Sequence, residues 1–400
     1  MKKLLAGFLS VFLALTISGC SLQGKPDQTP THPDANNHEF TGDTHSEIPK
    51  NGNTGKSMHA LALPTVKEEV CSDDGTLLFT LSFQNASVDL GNNKIAELVT
   101  GDLQSRTDGI LSDADHICEN AMNDQPEHPD WTPYFLDVSY TPTRLDQVLL
   151  SLCCNQVSYS GGAHPFVYTD SVTYDLQTGS PLQLVDIFKD NFGNDVLCAL
   201  VLKALEPKSA ELSYHYQETV TQQFTSGDEM KDDWYFSRNG LCFHFSPYEI
   251  APYSVGTVIA EIPYSELSGI LLEQYFPSMT ENTTGSMYAE AYTEETAQRF
   301  QRITDIRLNE KSTPILLYPD ATVTDLRIEI GTHLEGDPKF IATSVVFAAD
   351  TISIGEAIRV FAAPSQEDTL LRLVYHSNNR EVSSLISSDI TTGNIVLSGE

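Results

Sequence analysis

The stretch "PYFLDVSYTPTRLDQVLLSLCCNQVSYSGGAHPFVYTDSVTYDLQTG", Pro133 to Gly179, decides the fold. Apolar and polar residues alternate along much of it, which is typical of half-buried β-strands. We predict three successive strands, at Tyr134–Tyr140, Gln147–Tyr159 and Phe166–Leu176. Only short turns separate them, so neighbouring strands are expected to run antiparallel.

The segments around this stretch carry both helix and strand patterns. Apolar residues at helical spacing predict a helix from Asn92 to about Leu111 and another after Asn194. The remaining predictions are strands at Gly75–Gln84, Gly240–Phe245 and Val255–Tyr264, and helices at Glu218–Thr225 and Ser265–Phe276. Strands with helices before, between and after them favour an α+β fold, an antiparallel sheet with packed helices, over βαβ winding.

The composition changes near the C-terminus, beyond a polar break. Short β-like runs separated by Gly, Pro, Asp and Asn lie near Ile315–Tyr318, Leu326–Ile330, Phe340–Ala348, Ile358–Ala362 and Leu370–Tyr375. This pattern predicts a small all-β domain. We therefore expect an α+β domain at 63–278, a linker at 279–287 and a β-rich domain at 288–400.

The N-terminus has the pattern of an export signal. Lys2 and Lys3 precede an apolar run that ends in Ser18-Gly19-Cys20, which predicts a signal peptide at 1–19, similar to that of bacterial lipoproteins. Cys20 is then the lipidated residue, and a lipid anchor is expected to hold the protein on the extracytoplasmic face of the cell membrane. Residues 20–62 contain few large apolar side chains, so we predict a flexible tether.

The charge is strongly negative and unevenly distributed. Of the formal net charge of -32, most lies between Leu61 and Thr284, where 9 Lys and Arg face 33 Asp and Glu. Such acidity argues against nucleic acid as a partner, because binding to nucleic acid depends on cations that neutralise phosphates. It favours encounter with a cationic protein or peptide. The alternative is that the charge only keeps an exported protein soluble.

Six cysteines remain after Cys20, and all lie in the predicted α+β domain: Cys71, Cys118, Cys153, Cys154, Cys198 and Cys242. An even number outside the cytoplasm permits disulfides. Cys153 and Cys154 would point to opposite faces of a strand, so we do not expect them to bond each other. Free buried thiols remain the alternative. The absence of a C-x-x-C pair argues against a metal site, and we predict no metal or other cofactor.

Known catalytic motifs are missing from the sequence. It contains no G-x-S-x-G and no H-E-x-x-H, and no nucleotide-binding glycine pattern occurs. Abundant carboxylates leave a glycosidase pair open, because their proximity cannot be deduced from sequence. The sequence therefore assigns no catalytic residue.

Two short stretches contain the candidate residues, whose role is either to bind a partner or to define the fold. In the first, Tyr159 precedes Gly161 and Gly162, whose backbones can adopt positive φ and form a turn or bulge, and His164 follows. His164 can cap the turn with a ring N–H or act as a contact residue. In the second, "SPYEIAPYSVG", Tyr248 and Tyr253 stand among prolines, either as a rigid aromatic contact loop or packed on the sheet.

Three motifs together resemble one known domain. They are "YSGGAHP" (Tyr159–Pro165), "YDLQTGSPLQLVDIF" (Tyr174–Phe188) and "FHFSPYEIAPYSVG" (Phe243–Gly256), followed by "IPYSEL". This order resembles the extracytoplasmic domain of RsiV-type anti-sigma factors, which also accompanies PdaC-type peptidoglycan deacetylases. The resemblance implies an α+β sensory or accessory module, and in the anti-sigma factors a receptor for lysozyme.

The chain departs from both groups of relatives. A lipoprotein signal and tether replace the cytosolic segment and membrane helix of the anti-sigma factors, and no deacetylase motif follows the domain. We therefore expect a surface-tethered, non-catalytic binding or sensor protein for lysozyme-like cationic proteins or cell-wall material such as peptidoglycan. The alternatives are a cell-wall hydrolase or deacetylase-associated accessory protein, and an envelope scaffold.

Overall fold

The computed structural model describes residues 58–127, 130–189, 193–226, 233–277, 283–308, 314–334, 337–362, 370–378, 380–388 and 395–399. The predicted signal peptide, Cys20 and most of the predicted tether lie outside these residues. None of the helices within them is long and apolar enough to cross a membrane.

Strands dominate the regular structure, and the fold is α+β as predicted. The strands are β1 (Ala60–Ala62), β2 (Thr65–Cys71), β3 (Leu77–Gln84), β4 (Ser87–Asp89), β5 (Tyr134–Leu145), β6 (Leu149–Tyr159), β7 (Phe166–Asp175), β8 (Ser180–Pro181), β9 (Trp234–Phe236), β10 (Gly240–Phe245), β11 (Val258–Pro263), β12 (Met287–Ala291), β13 (Arg302–Arg307), β14 (Ile315–Pro319), β15 (Val323–Leu334), β16 (Asp337–Ile352), β17 (Glu356–Phe361), β18 (Leu370–Ser377), β19 (Arg380–Ser388) and β20 (Ile395–Gly399). The helices are α1 (Asn93–Leu111), α2 (Ala114–Asp124), α3 (Asn194–Leu205), α4 (Tyr216–Ser226) and the one-turn α5 (Glu294–Ala297).

The first sheet has six strands in the order β2-β3-β5-β6-β7-β8. The three strands predicted between Pro133 and Gly179 are confirmed as β5, β6 and β7, which pair antiparallel. β3 and β5 instead run parallel, which differs from the expected antiparallel arrangement. The helices α1 and α2 connect them, and a helical crossover is what allows two neighbouring strands to run in the same direction.

The two crossover helices pack on one face of this sheet. The side chain of Asn92 caps α1 by accepting hydrogen bonds from the backbone N–H groups of Lys94 (3.2 Å) and Ile95 (3.4 Å). Val99 and Leu103 of α1 lie fully buried in the core of the sheet. The apolar spacing that predicted α1 therefore corresponds to its buried face.

A second layer contains the antiparallel sheet β9-β10-β11, packed with α3 and α4 around an apolar core. The predicted helix at Ser265–Phe276 is wrong. The chain there forms two 3₁₀ turns, Tyr264–Glu266 and Glu273–Tyr275. Gly269 between them has φ +84°, outside the helical region, and Leu271 makes an isolated bridge with Phe188.

The C-terminal part contains two sheets, of order β20-β19-β18-β15-β16-β1-β4 and β12-β14-β17-β13. All five predicted β-like runs are strands. β12, β13, β19 and β20 were not predicted, and β13 pairs parallel with β17. Of the predicted linker 279–287, Gly285 and Ser286 precede β12, which begins at Met287.

Strand β1 lies in the C-terminal sheet although it precedes the α+β region in sequence. It pairs with β16 on one side and β4 on the other. Met58 and Ala60 are buried in the C-terminal core, whereas Leu61 and Leu63 are buried in the core of the first sheet. The predicted flexible tether therefore extends too far, because alternate residues of this segment bury their side chains in two cores.

Candidate functional site

The turn between β6 and β7 depends on its two glycines. Gly161 and Gly162 have φ +94° and +99°. A Cβ on Gly161 would lie 2.8 Å from the hydroxyl oxygen of Tyr134, so a side chain would not fit there. The Tyr159 hydroxyl donates a hydrogen bond to the Gly162 carbonyl (3.1 Å) and closes the turn.

Three rings meet beside this turn, and we name His164, Tyr248 and Tyr253 the aromatic cluster. The His164 ring stacks on Tyr253 with centroids 3.9 Å apart and an interplanar angle of 23°. Its Nε2 lies 3.1 Å from the Tyr248 hydroxyl. The centroids of the two tyrosine rings are 5.6 Å apart. Residues 84 positions apart in sequence thus form one surface feature.

Hydrogen bonds fix the orientation of the His164 ring. Its Nδ1 lies 2.9 Å from the Pro165 carbonyl, which can only accept, so Nδ1 carries a hydrogen. In the neutral ring Nε2 therefore accepts the hydrogen of the Tyr248 hydroxyl. The Tyr253 hydroxyl donates to the same Pro165 carbonyl (2.9 Å) and ties the loop between β10 and β11 to the hairpin.

The loop that carries both tyrosines is itself ordered by local bonds. The backbone N–H of Ser246 donates to the Glu249 carboxylate (2.5 Å), and that of Tyr248 donates to the Ala251 carbonyl (3.0 Å). Burial raises the pKa of Glu249 above its ordinary value. Tyr248 has φ +75°, a conformation rare for residues other than glycine, and yet 66% of it is exposed.

Two more aromatic side chains are exposed on the same hairpin. Phe166, at the start of β7, is 62% exposed, and Tyr168 is also exposed. They alternate with Val167 and so share one face of the strand. Phe166 and Tyr168 therefore add exposed aromatic area to the hairpin that carries His164.

The structure thus divides the residues proposed from sequence. It brings His164, Tyr248 and Tyr253 together at the surface. Tyr159 belongs to the same hairpin but is half-buried, with its ring near those of Phe135 (centroids 6.0 Å apart) and Tyr134 (5.8 Å). Cys20 lies outside the described residues.

The structure contains a Ser-His-Asp arrangement that was not predicted from the sequence. His244 Nε2 lies 3.1 Å from Ser171 Oγ, and its Nδ1 lies 4.0 Å from Asp233 Oδ1. Ser171 is only 3% exposed and His244 1% exposed, and the Ser171 hydroxyl donates to the Trp234 carbonyl (2.7 Å). The arrangement therefore joins the two sheets in the interior, where no substrate reaches the hydroxyl. Ser171 lies 73 residues before His244 in the sequence, so no local motif could have revealed the arrangement.

All six cysteines of the described region are free thiols, and Cys71 alone among them is exposed. Burial raises the pKa of Cys154 and of Cys242 to about 12. Thiols with such values are poor nucleophiles and poor metal ligands at neutral pH. Within the described ranges, no three His, Cys, Asp or Glu side chains group closely enough to hold a metal ion.

Comparison with known proteins finds one family model that matches part of the chain. Residues 185–265 match the family model DUF3298, described as a protein of unknown function. A solved structure of a DUF3298 member from Bacteroides fragilis is 19% identical, with a TM-score of 0.41, covering 54% of this chain and 94% of that one. A DUF3298 protein from Pseudomonas aeruginosa is 16% identical, with a TM-score of 0.34, covering 55% and 96%. No curated protein matches the chain. The segment that matches the family model contains Tyr248 and Tyr253.

Proposed function

We propose that this protein is a lipid-anchored binding or sensor protein of the extracytoplasmic face, and that the aromatic cluster is its main contact site. The observation that carries the proposal is the cluster itself. His164 and Tyr248 are exposed and Tyr253 is half-buried, yet hydrogen bonds to one another and to the backbone hold the three rings in place. Preordered aromatic side chains lose little conformational entropy on binding, which suits them to recognition.

The buried Ser-His-Asp arrangement favours binding over hydrolysis. Its serine hydroxyl already donates to a backbone carbonyl and is inaccessible. The exposed cluster offers hydroxyls, an imidazole and ring faces, which are groups that make contacts. The accessible groups of the aromatic cluster therefore suit a binding role.

Lysozyme-like cationic proteins and peptidoglycan are the proposed partners. The acidity of the region from Leu61 to Thr284 supports a cationic partner, because opposite charges accelerate encounter. The resemblance of three sequence motifs to the RsiV-type domain supports lysozyme in particular. The lipoprotein pattern that ends at Cys20 supports a location at the cell envelope.

Calorimetry tests the proposal with a chain that starts at Gly55, the beginning of the unit that contains the described residues. We expect this chain to bind lysozyme or soluble peptidoglycan fragments more tightly at low than at moderate salt. Tyr248→Ala should weaken binding about tenfold or more, as loss of a central aromatic contact does. Tyr214→Ala is the matched control, because Tyr214 is also an exposed tyrosine next to a histidine. Absence of binding to both probes, or equal loss in both variants, would contradict the proposal.

A further inference from the structure

A cavity of about 290 Å³ lies between the end of α1 and the helix-covered face of the first sheet. Tyr140, Ile110 and Val172 provide an apolar floor, and Arg106, Asp113 and Gln156 are among the polar residues of its wall. None of the lining residues belongs to the aromatic cluster. The cavity is therefore a separate feature of the α+β region.

The polar wall carries charges of both signs. Arg106 donates its Nε–H to Asp102 (2.9 Å), and its Nη1 forms an ion pair with Asp170, a second carboxylate of the wall, at 3.9 Å. That separation is beyond hydrogen-bond distance, so the terminal N–H groups can still donate to a ligand. Asp113 stands at the N-cap position of α2 without making a side-chain capping bond. Its carboxylate is exposed at the rim and able to accept.

We propose that this cavity binds a small zwitterion of the size of a free α-amino acid. The planar guanidinium of Arg106 suits a carboxylate, which accepts two parallel hydrogen bonds from it. The carboxylate of Asp113 suits an ammonium group. The apolar floor receives the ligand's side chain, and the volume matches the lower end of ordinary small-molecule sites. This binding activity is independent of the contact function of the aromatic cluster.

Two glycines of α1 provide a matched pair of variants. A Cβ on Gly109 or on Gly101 would have no atom within 4 Å, so both positions accept a larger side chain. Only Gly109 lines the cavity. Gly109→Leu should fill the cavity, whereas Gly101→Leu should leave it open, and both changes replace a poor helix former with a good one.

The experiment is calorimetry of the purified chain with the free L- and D-amino acids and with Ala-Ala, each up to about 10 mM. We expect saturable binding of at least one amino acid, a loss of tenfold or more in Gly109→Leu and in Arg106→Gln, and unchanged binding in Gly101→Leu. N-acetylation or C-amidation of that ligand should abolish binding, because each removes one charge. If Ala-Ala binds and no free amino acid does, the ligand is a peptide, and the ligand size that we propose is wrong. Absence of binding across the panel, or equal binding by both glycine variants, would overturn the proposal.

Discussion

Tyr248 combines an unfavourable backbone with an exposed ring. A tyrosine at φ +75° is destabilised relative to glycine, because its Cβ approaches the following carbonyl oxygen. The backbone hydrogen bond to Ala251 and the contact with His164 hold the residue there. Strain kept at an exposed position supports the contact role proposed for Tyr248.

Tyr248→Gly separates these two roles. We expect the free energy of unfolding to rise by about 1 kcal/mol, because glycine adopts positive φ without the Cβ clash. Binding to the partner should weaken, because the ring is lost. Urea unfolding and calorimetry on the same sample measure both effects. A destabilised variant that binds normally would contradict this account of Tyr248.

Strand β1 is three residues long but contributes side chains to two cores. Leu61 is fully buried in the core of the first sheet, and its neighbour Ala60 is buried in the C-terminal core. Backbone pairing with β16 and β4 makes β1 part of the C-terminal sheet, although the sequence placed these residues at the end of the tether. The short strand therefore links two groups of elements that the sequence predicted as separate domains.

Leu61→Ala tests how much this strand contributes. We expect the free energy of unfolding to fall by about 3 kcal/mol, the usual cost of truncating a buried leucine. Val185→Ala is the control, since Val185 is exposed and its truncation should change stability by less than about 0.5 kcal/mol. Denaturant titration measures the change in the free energy of unfolding for each variant. Similar changes in the two variants would show that β1 contributes little to stability.

The elements with a clear apolar period could be predicted from the sequence. The strands between Pro133 and Gly179 and the helix α1 were predicted to within two residues at their ends, except that β5 runs five residues beyond its predicted end at Tyr140. Burial of one face imposes this period on the side chains. The stretch from Ser265 to Phe276 has a helical apolar period but is not a helix. Its Leu267, Leu271 and Tyr275 recur every four residues and are buried, but Gly269 breaks the helix between them.

Other features depend on contacts that sequence periodicity does not encode. β13, "RITDIR", and β19, "REVSSLISS", are rich in polar residues, and each is a strand because a partner strand pairs with it. Likewise, the sequence offered His164 and Tyr248 as candidates but could not place them in contact, because the loop and the hairpin meet only in the folded sheet. The cavity beside Gly109 gave no sequence signal.

Charged side chains join the β-rich part to the rest of the molecule. Arg238, in the turn between β9 and β10, pairs with Asp325 of β15. Arg327 of β15 donates to Glu381 of β19 (3.1 Å), and His376 lies opposite Glu381 in the neighbouring strand. Burial lowers the pKa of His376, and the positive charges of Arg238 and Arg327 lower it further.

This environment predicts that His376 makes the fold less stable in acid. The unfolded chain binds a proton at this histidine below about pH 6.5, whereas the folded chain resists it, so the stability contributed by the neutral ring is lost as the pH falls. Between about pH 7.5 and pH 5.5, His376→Gln should therefore gain stability relative to the unaltered chain.

Comparison of the unaltered chain with the His376→Gln variant isolates the contribution of this histidine to the free energy of unfolding. Asp350 and Glu356 have pKa values raised by burial and act in the opposite direction, but they are present in both chains and cancel in the difference. Urea titrations across the pH range give that difference. A difference that does not change with pH would show that His376 has no such role.

The position of β1 also determines where a mechanical force would act. Any tension on the segment before residue 58 enters the described part of the chain through β1, which backbone hydrogen bonds hold on both edges. The aromatic cluster lies on other strands and loops, closed by its own hydrogen bonds. Tension would therefore withdraw Leu61 and Leu63 from the core of the first sheet before it deforms the loop that carries Tyr248 and Tyr253. A partner bound at the aromatic cluster could stay bound while the core of the first sheet and the C-terminal core separate.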